Sequence, residues 1–318
     1  MALNVHIGDE IFKLQGQGGI SRLWRSLENP LKRSLPEATW DGSAHADIYL
    51  PSYYSLPENG ARSVVMVYDF IAETYAPIGR YHIDAVQKRA AIAHADKVVA
   101  ISKYVADDCQ RFTGKSAEIA YCGGGEMFQR ALPDAVAAFK AQYQIDRPYV
   151  LVIGRRGLYK NVQALYQAWP FWSGRDSHLI LVIGGEELGT AEAQFTQRYP
   201  GQWRQLRLDD AALAAAYTGA AALVYPSFHE GFGLPIVEAL ACGCPVVCGT
   251  AGSLPEVAGQ AAYYADVFRP LSIAAALDAV VSNPALRLER VMLGYNQAKQ
   301  FTWSAMADVV ADSIRSVV

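Results

Sequence analysis

The sequence has no excess of basic residues. Its 28 lysines and arginines are outnumbered by 31 aspartates and glutamates, which gives a net charge of −3. Proteins that bind nucleic acid usually show a clear basic excess, and a dense Lys/Arg run that would bind an anionic membrane is also absent. The composition therefore argues against a nucleic-acid partner and against a polybasic membrane patch.

The sequence also lacks a long apolar run. Its most apolar stretch, 211–226, is rich in alanine, is interrupted by polar residues and is too short to span a bilayer. Asp9 and Glu10 come early, and no basic region precedes an apolar run, so we expect no secretory signal. These features predict a cytoplasmic protein, and a peripheral contact with the inner face of the membrane stays open.

Cysteine is scarce, and the pattern of ligands for a metal ion is missing. Of the five cysteines only Cys242 and Cys244 are closely spaced, and no second Cys or His pair completes a zinc site. No Asp-x-Asp pair follows a predicted strand. We expect reduced thiols, no bound metal and no other cofactor.

What the sequence does contain is an alternation of short apolar runs with helical patterns. Several runs are apolar throughout, which is typical of parallel strands covered on both faces. The alternation predicts an α/β protein built from βαβ units in doubly wound sheets. The predicted strands are 4–7, 47–50, 64–68, 97–101, 118–121, 149–153, 179–183, 205–208, 221–225, 245–248 and 261–264.

This alternation is interrupted between Phe128 and Pro148, where the chain is polar and has one helical piece. A chain of 318 residues has room for two domains of about 150 residues each. We predict a first domain at 1–130 and a second at 131–300, followed by an amphipathic helix within 301–318. Ligands bind at the carboxyl ends of strands in such sheets, so two facing domains would form a cleft lined by loops.

The segment 227–238, Ser-Phe-His-Glu-Gly-Phe-Gly-Leu-Pro-Ile-Val-Glu, follows a predicted strand. Pro235 suits the first turn of a helix, which places Glu230 on the loop and Glu238 on the helix. The glycines allow close approach of a ligand, and the free N–H groups of a helix start suit a phosphate. A helix dipole alone would explain Glu238 but not the Gly-Phe-Gly-Leu-Pro sequence, and a glycosidase carboxylate pair is a further alternative. His229 is interpreted as a solvated loop residue.

This segment resembles the paired-glutamate signature of glycosyltransferase family 4, whose members have the GT-B fold. The resemblance implies that Glu230 contacts the sugar of a nucleotide-sugar donor and that Glu238 holds the ribose hydroxyls. It also implies a terminal helix that crosses back onto the first domain. The backbone N–H groups that would meet the sugar and the diphosphate belong to Gly231, Phe232, Gly233 and Leu234.

Basic residues follow the predicted strand 149–153. Arg155 and Lys160 are similar in spacing to the Gly-Arg…Lys pattern of family 4, which implies that both neutralise the departing diphosphate. Arg156 is left unassigned, and Asn161 is predicted to be a helix N-cap. The alternative is a pair of exposed basic residues without a function.

Other donor contacts are implied by weaker similarities. Gly18 and Gly19 resemble a Gly-Gly-Ile-Ser-Arg loop of a family 4 subset that approaches the donor phosphates, although a plain strand–helix turn is the alternative. Arg207 and Leu208, with the glycines at 184–185, match loops that pack against the base. Ser253-Leu-Pro-Glu is interpreted as a helix capping box.

The acceptor side is less defined. Tyr68 stands where many family members have His, and with Asp69 and Lys103 it is a candidate acceptor contact. Asp69 is equally compatible with a turn. The resemblance implies a retaining, mannosyltransferase-like enzyme of bacterial polysaccharide biosynthesis that transfers a mannose-like or rhamnose-like hexose to a glycan or lipid-linked acceptor. An epimerase, a glycan phosphorylase and an inactive nucleotide-sugar-binding scaffold are the alternatives, and the oligomeric state is open.

Overall fold

The computed structural model describes residues 3–16, 18–40, 46–57, 60–75, 80–156 and 158–318. The chain divides into two compact units, the first comprising Met1–Gly123 with Phe301–Val318 and the second Gly124–Gln300. The boundary predicted from the sequence, between residues 130 and 131, lies slightly later in the chain than this observed boundary. It falls within the polar stretch between Phe128 and Pro148.

The first unit is a parallel sheet of six strands in the order β2-β1-β3-β4-β5-β6. Its strands are β1 Leu3–Ile7, β2 Ala38–Thr39, β3 Ile48–Leu50, β4 Arg62–Val67, β5 Lys97–Ala100 and β6 Glu118–Ile119. Its helices are α1 Glu10–Leu14, α2 Gly19–Ser34, α3 Ile71–Tyr75, α4 Arg80–His94 and α5 Lys103–Thr113, and α14 Trp303–Arg315 from the chain end. The strand β2 was not predicted, because two residues are too few to show a period.

The terminal helix α14 packs against α2 in the first unit, as predicted. Arg315 Nε lies 2.8 Å from Glu37 Oε1, and the hydroxyl of Ser34 donates to Asp308 Oδ1 at 2.7 Å. The apolar face of α14, which includes Trp303, is buried. The last residues of the chain therefore complete the core of the unit that the first residues begin.

The second unit is a parallel sheet of six strands in the order β12-β11-β10-β7-β8-β9. Its strands are β7 Tyr149–Ile153, β8 Leu179–Ile183, β9 Trp203–Leu206, β10 Ala222–Tyr225, β11 Val246–Cys248 and β12 Ala262–Tyr264. Its helices are α6 Pro133–Gln142, α7 Gln163–Ala168, α8 Thr190–Arg198, α9 Asp210–Gly219, α10 Leu234–Ala241, α11 Leu254–Ala258, α12 Pro270–Ser282 and α13 Pro284–Ala298. Strand β9 ends before Arg207, so Arg207 and Leu208 lie on the following loop rather than in the strand predicted at 205–208.

The apolar residues of the second unit form one core between sheet and helices. Trp169 and Trp172 are fully buried against Phe195 and the sheet. All five cysteines are buried and none forms a disulfide. Among the described residues no single helix is long and apolar enough to cross a membrane, although α12 and the stretch Pro284–Arg315 pass such a test together as a bent pair.

Candidate active site

The segment 227–238 forms the loop after β10 and the start of α10, as the sequence predicted. Gly233 caps the helix with a φ of +99°, a left-handed conformation that glycine adopts without strain. Glu230 lies on the loop and Glu238 on the helix, and their exposed fractions are only 7% and 4%. His229 is 1% exposed, so its interpretation as a solvated residue is wrong.

Lys160 and Glu230 come from different loops and form an ion pair. Lys160 Nζ lies 2.6 Å from Glu230 Oε1 and donates to the Tyr225 hydroxyl at 2.8 Å. Burial, and then the charge of Glu230, hold the pKa of Tyr225 well above its ordinary value, so its hydroxyl stays neutral. The structure thus joins two of the residues predicted to bind the donor, 70 positions apart in sequence.

Ser253 fixes the backbone of the Glu230 loop. Its hydroxyl lies 2.8 Å from the carbonyl oxygen of Phe232 and 3.1 Å from that of Glu230, and its N–H donates to the Glu230 carbonyl. A methyl group on Gly252 would lie 2.7 Å from the same oxygen. The capping-box prediction for Ser253 is wrong, because its side chain caps no helix N–H and is used by the loop instead.

We expect Ser253→Ala to lower kcat/KM by about tenfold, since loops that hold reacting groups tolerate little displacement. The loss of the buried hydroxyl contacts is also expected to lower the free energy of unfolding by about 1–2 kcal/mol. Steady-state kinetics and urea unfolding measure the two effects. Ser177→Ala removes a hydroxyl from an exposed turn and serves as the control, for which both values stay at wild type.

The two adjacent arginines after β7 differ in their surroundings. Arg155 is exposed, and the described residues provide no ion-pair partner for it. Arg156 is held through both its backbone and its side chain. Its backbone N–H donates to Glu186 Oε2 at 2.7 Å, and its guanidinium forms a buried ion pair with Glu192 at 3.2 Å. The structure assigns Arg156, which the sequence left unassigned, to fixing the loops after β7 and β8.

These surroundings predict different effects for two matched substitutions, one on stability and one on ligand binding. Arg156→Met leaves the buried Glu192 carboxylate without its partner, so we expect the free energy of unfolding to fall by about 3 kcal/mol. Arg155→Met is expected to change stability by less than about 0.5 kcal/mol and to weaken binding of a nucleoside diphosphate. Urea unfolding and calorimetric titration of both variants check this. Equal effects on stability would contradict the assignment.

The loops after β8 and β9 lie together. Arg207 donates to the carbonyl oxygen of Gly185 at 3.0 Å, and Leu208 follows on the same loop.

Asn161 was predicted to cap a helix, but α7 begins at Gln163 and the Asn161 amide donates to the carbonyl of Val267 at 3.0 Å instead. That N-cap prediction is wrong.

Gly18 and Gly19 stand at the start of α2, a helix of 16 residues in the first unit. Both are exposed, and the carbonyl of Gly18 accepts from the Ser21 hydroxyl at 3.1 Å. A side chain at position 18 would collide with Gln15. The glycines therefore leave the amino end of the helix open at the surface of this unit.

Tyr68 is 3% exposed, and its hydroxyl donates to the carbonyl of Ser52 at 2.8 Å while accepting from Trp24 Nε1 at 2.7 Å. A hydroxyl fully engaged inside the unit does not match the predicted acceptor contact, so we assign Tyr68 a structural role instead. Asp69 accepts from the N–H of Ile71 at 3.0 Å and so closes a turn, while its place on the acceptor side stays a prediction.

Lys103 begins α5, is exposed and pairs with Asp107 at 2.6 Å, an arrangement common on helix surfaces.

Across the described ranges, no group of three or more His, Cys, Asp or Glu side chains lies close enough together to hold a metal ion.

Sequence reasoning missed Tyr217 and Tyr225, and it missed the contact of Ser253 with the Glu230 loop. Tyr225 is the last residue of β10, and a tyrosine buried at the carboxyl end of a strand needs a hydrogen-bond partner there, which is a signal that could have found it. Tyr217 and Ser253 reach Glu238 and the Glu230 loop from other elements. Their contacts are set by tertiary packing and leave no local pattern.

Comparison with known proteins identifies the family of this chain. Residues 136–300 match the model of the family described as glycosyl transferases group 1. The O-antigen chain mannosyltransferase B of Escherichia coli is 30% identical over 273 residues, which cover 80% of this chain and 70% of that protein.

Two solved structures have the same fold. The structure of Anabaena HepE, determined in complex with UDP and glucose, has a TM-score of 0.78 at 14% identity and covers 99% of this chain and 100% of its own. That of WaaG, a glycosyltransferase involved in lipopolysaccharide biosynthesis, has a TM-score of 0.76 at 14% identity and covers 98% and 99%. The fold is therefore the predicted GT-B type, and the chain belongs to the glycosyl transferases group 1 family.

Proposed function

We propose that this glycosyltransferase is a retaining, metal-independent enzyme of the family 4 type, which transfers a hexose from a nucleotide-sugar to a glycan or lipid-linked acceptor. The observation that carries the proposal is the Lys160–Glu230 ion pair beside the start of α10. A cation for the diphosphate and a carboxylate for the sugar hydroxyls, from two different loops, thus meet beside the start of a helix, whose N–H groups would bind phosphate oxygens.

In this proposal the acceptor hydroxyl attacks the anomeric carbon on the face from which the diphosphate departs. The bond to the acceptor oxygen forms as the bond to the phosphate oxygen breaks, and that phosphate oxygen takes the acceptor proton. Lys160 and Arg155 stabilise the negative charge that develops on the diphosphate. Glu230 orients the sugar and forms no covalent bond.

The sugar and the setting are further parts of the proposal. The similarity to an O-antigen mannosyltransferase supports a mannose-like donor sugar, with a rhamnose-like one as the alternative, and a place in bacterial polysaccharide biosynthesis. We propose that Gly18 and Gly19 approach the donor phosphates, and that Asp69 and Lys103 belong to the acceptor side. A cytoplasmic location, with peripheral membrane contact, fits such substrates.

The test begins with thermal-shift screening against nucleoside diphosphates and their sugars, because a ligand that binds the native state raises its melting temperature. The product of the best donor with a saccharide acceptor is then examined by NMR, and we expect the anomeric configuration of the donor to be kept. An inverted product would exclude the retaining mechanism. Conversion of the donor sugar without an acceptor would indicate an epimerase, a requirement for inorganic phosphate would indicate a phosphorylase, and binding without turnover a scaffold.

A further inference from the structure

Tyr217 contacts Glu238, the second of the paired glutamates, although it belongs to another helix. It lies in α9 and is 0% exposed. Its hydroxyl donates a hydrogen bond of 2.7 Å to Glu238 Oε2. A buried carboxylate on α10 thus accepts a hydrogen bond from a buried hydroxyl on the preceding helix, α9.

The Tyr217 hydroxyl is a fixed donor. Burial, and then the nearby charge of Glu238, hold the pKa of Tyr217 well above its ordinary value, so the hydroxyl keeps its proton at neutral pH. The ring packs edge-on against Phe128, with centroids 6.0 Å apart. With the ring and the proton both held in place, one oxygen of the Glu238 carboxylate has a fixed hydrogen-bond donor.

We propose that Tyr217 is a positioning residue for ribose recognition, which holds the Glu238 carboxylate in the orientation that binds the hydroxyls of a nucleotide ribose. This inference rests on the proposed function, which places the ribose at Glu238. Hydrogen bonds discriminate between ligands only when the protein group is held in place by its own surroundings. Tyr217 provides that surrounding contact without touching the nucleotide.

The experiment measures discrimination between ribose and deoxyribose. Calorimetric titration of the wild type with GDP, UDP, ADP and CDP selects the nucleotide that binds best, and its 2′-deoxy and 3′-deoxy analogues are then titrated. We expect the wild type to bind the ribonucleotide at least about tenfold more tightly than one or both analogues. This is the difference in affinity expected when one hydrogen bond to a charged group is lost. Tyr217→Phe is expected to reduce that ratio to about threefold or less, with little change in the affinity for the analogue.

Tyr149→Phe is the matched control. Tyr149 is also 0% exposed, and its hydroxyl donates at 2.7 Å to the carbonyl of Ala216, the residue before Tyr217 in α9. The control therefore removes the same atom from the same region without removing the contact to Glu238. We expect it to lower the unfolding midpoint by a similar amount and to keep the wild-type ratio.

Two results would overturn the inference alone. One is a wild-type ratio in Tyr217→Phe, and the other is an equal loss of the ratio in both tyrosine variants, which would indicate general loosening of α9. Should Tyr217→Phe fail to fold, Glu238→Gln replaces it, and a wild-type ratio in that variant would show that Glu238 does not bind the ribose. Failure of the wild type to bind any of the four nucleotides would overturn the proposed function, and the inference with it.

Discussion

Replacement of Glu230 by glutamine is expected to lower kcat/KM by about 10³-fold, a loss of the size seen when one group that binds the transition state is removed. Glutamine keeps the shape of the side chain but loses the negative charge. The charge-assisted hydrogen bonds to the sugar hydroxyls would weaken, and Lys160 would lose the partner that lies 2.6 Å away. Steady-state kinetics with the donor found by screening provide the measurement.

Binding of the nucleoside diphosphate alone separates this effect from misfolding. The diphosphate carries no sugar, so we expect Glu230→Gln to bind it at least as tightly as the wild type, because Lys160 is released for the phosphates. Glu289→Gln, an exposed substitution on α13, is the control and should leave kcat/KM unchanged. An unchanged kcat/KM in Glu230→Gln would show that Glu230 does not contact the donor sugar.

Lys160→Met is expected to lower kcat/KM by about 10²–10³-fold, and for a different reason. Methionine keeps much of the length of the side chain but removes the positive charge that would face the departing diphosphate, and with it the contact of the ammonium group over the Tyr225 ring. It also leaves Glu230, whose side chain is 9% exposed, as a buried and unpaired carboxylate. We therefore expect the free energy of unfolding to fall by about 1–3 kcal/mol as well.

The position of the lost charge can be read from ligand binding. Affinity for the nucleoside diphosphate should fall in Lys160→Met, whereas affinity for the corresponding nucleoside, which has no phosphate, should stay at the wild-type value. Lys299→Met removes an exposed charge after α13 and controls for net charge. Equal weakening of nucleoside and diphosphate binding would place Lys160 away from the phosphates.

The positions of the site loops could be predicted from sequence because they depend on local patterns. The apolar run before Pro226 and the glycines and proline of 227–238 define a strand, a loop and a helix start, and the structure has all three. The loop after β7 was found in the same way. Strand ends were less certain, because the alternation of apolar and polar residues around β9 does not show where its hydrogen bonds to the neighbouring strand stop.

The contacts that orient the site could not be predicted, because they join residues far apart in the chain. Nothing local to Tyr217 indicates that its hydroxyl meets Glu238, 21 positions later. For Asn161, the local rule for helix caps competed with a tertiary contact to Val267, and the tertiary contact determined the structure. Tyr68 shows the same limit, since its burial against Trp24 and Ser52 depends on the packing of the whole first unit.

The contacts of Ser253 have a consequence for the sign of the electric field at the site. They turn the carbonyl oxygens of Glu230 and Phe232 inward, and the carbonyl of Gly233 accepts from Ile236 within the helix. Within the described part of the chain, by contrast, no protein acceptor meets the N–H groups of Gly231 and Gly233. Such N–H groups are the positive ends of backbone dipoles, so a weak preference for anions is expected to persist after Arg155 and Lys160 have both been replaced.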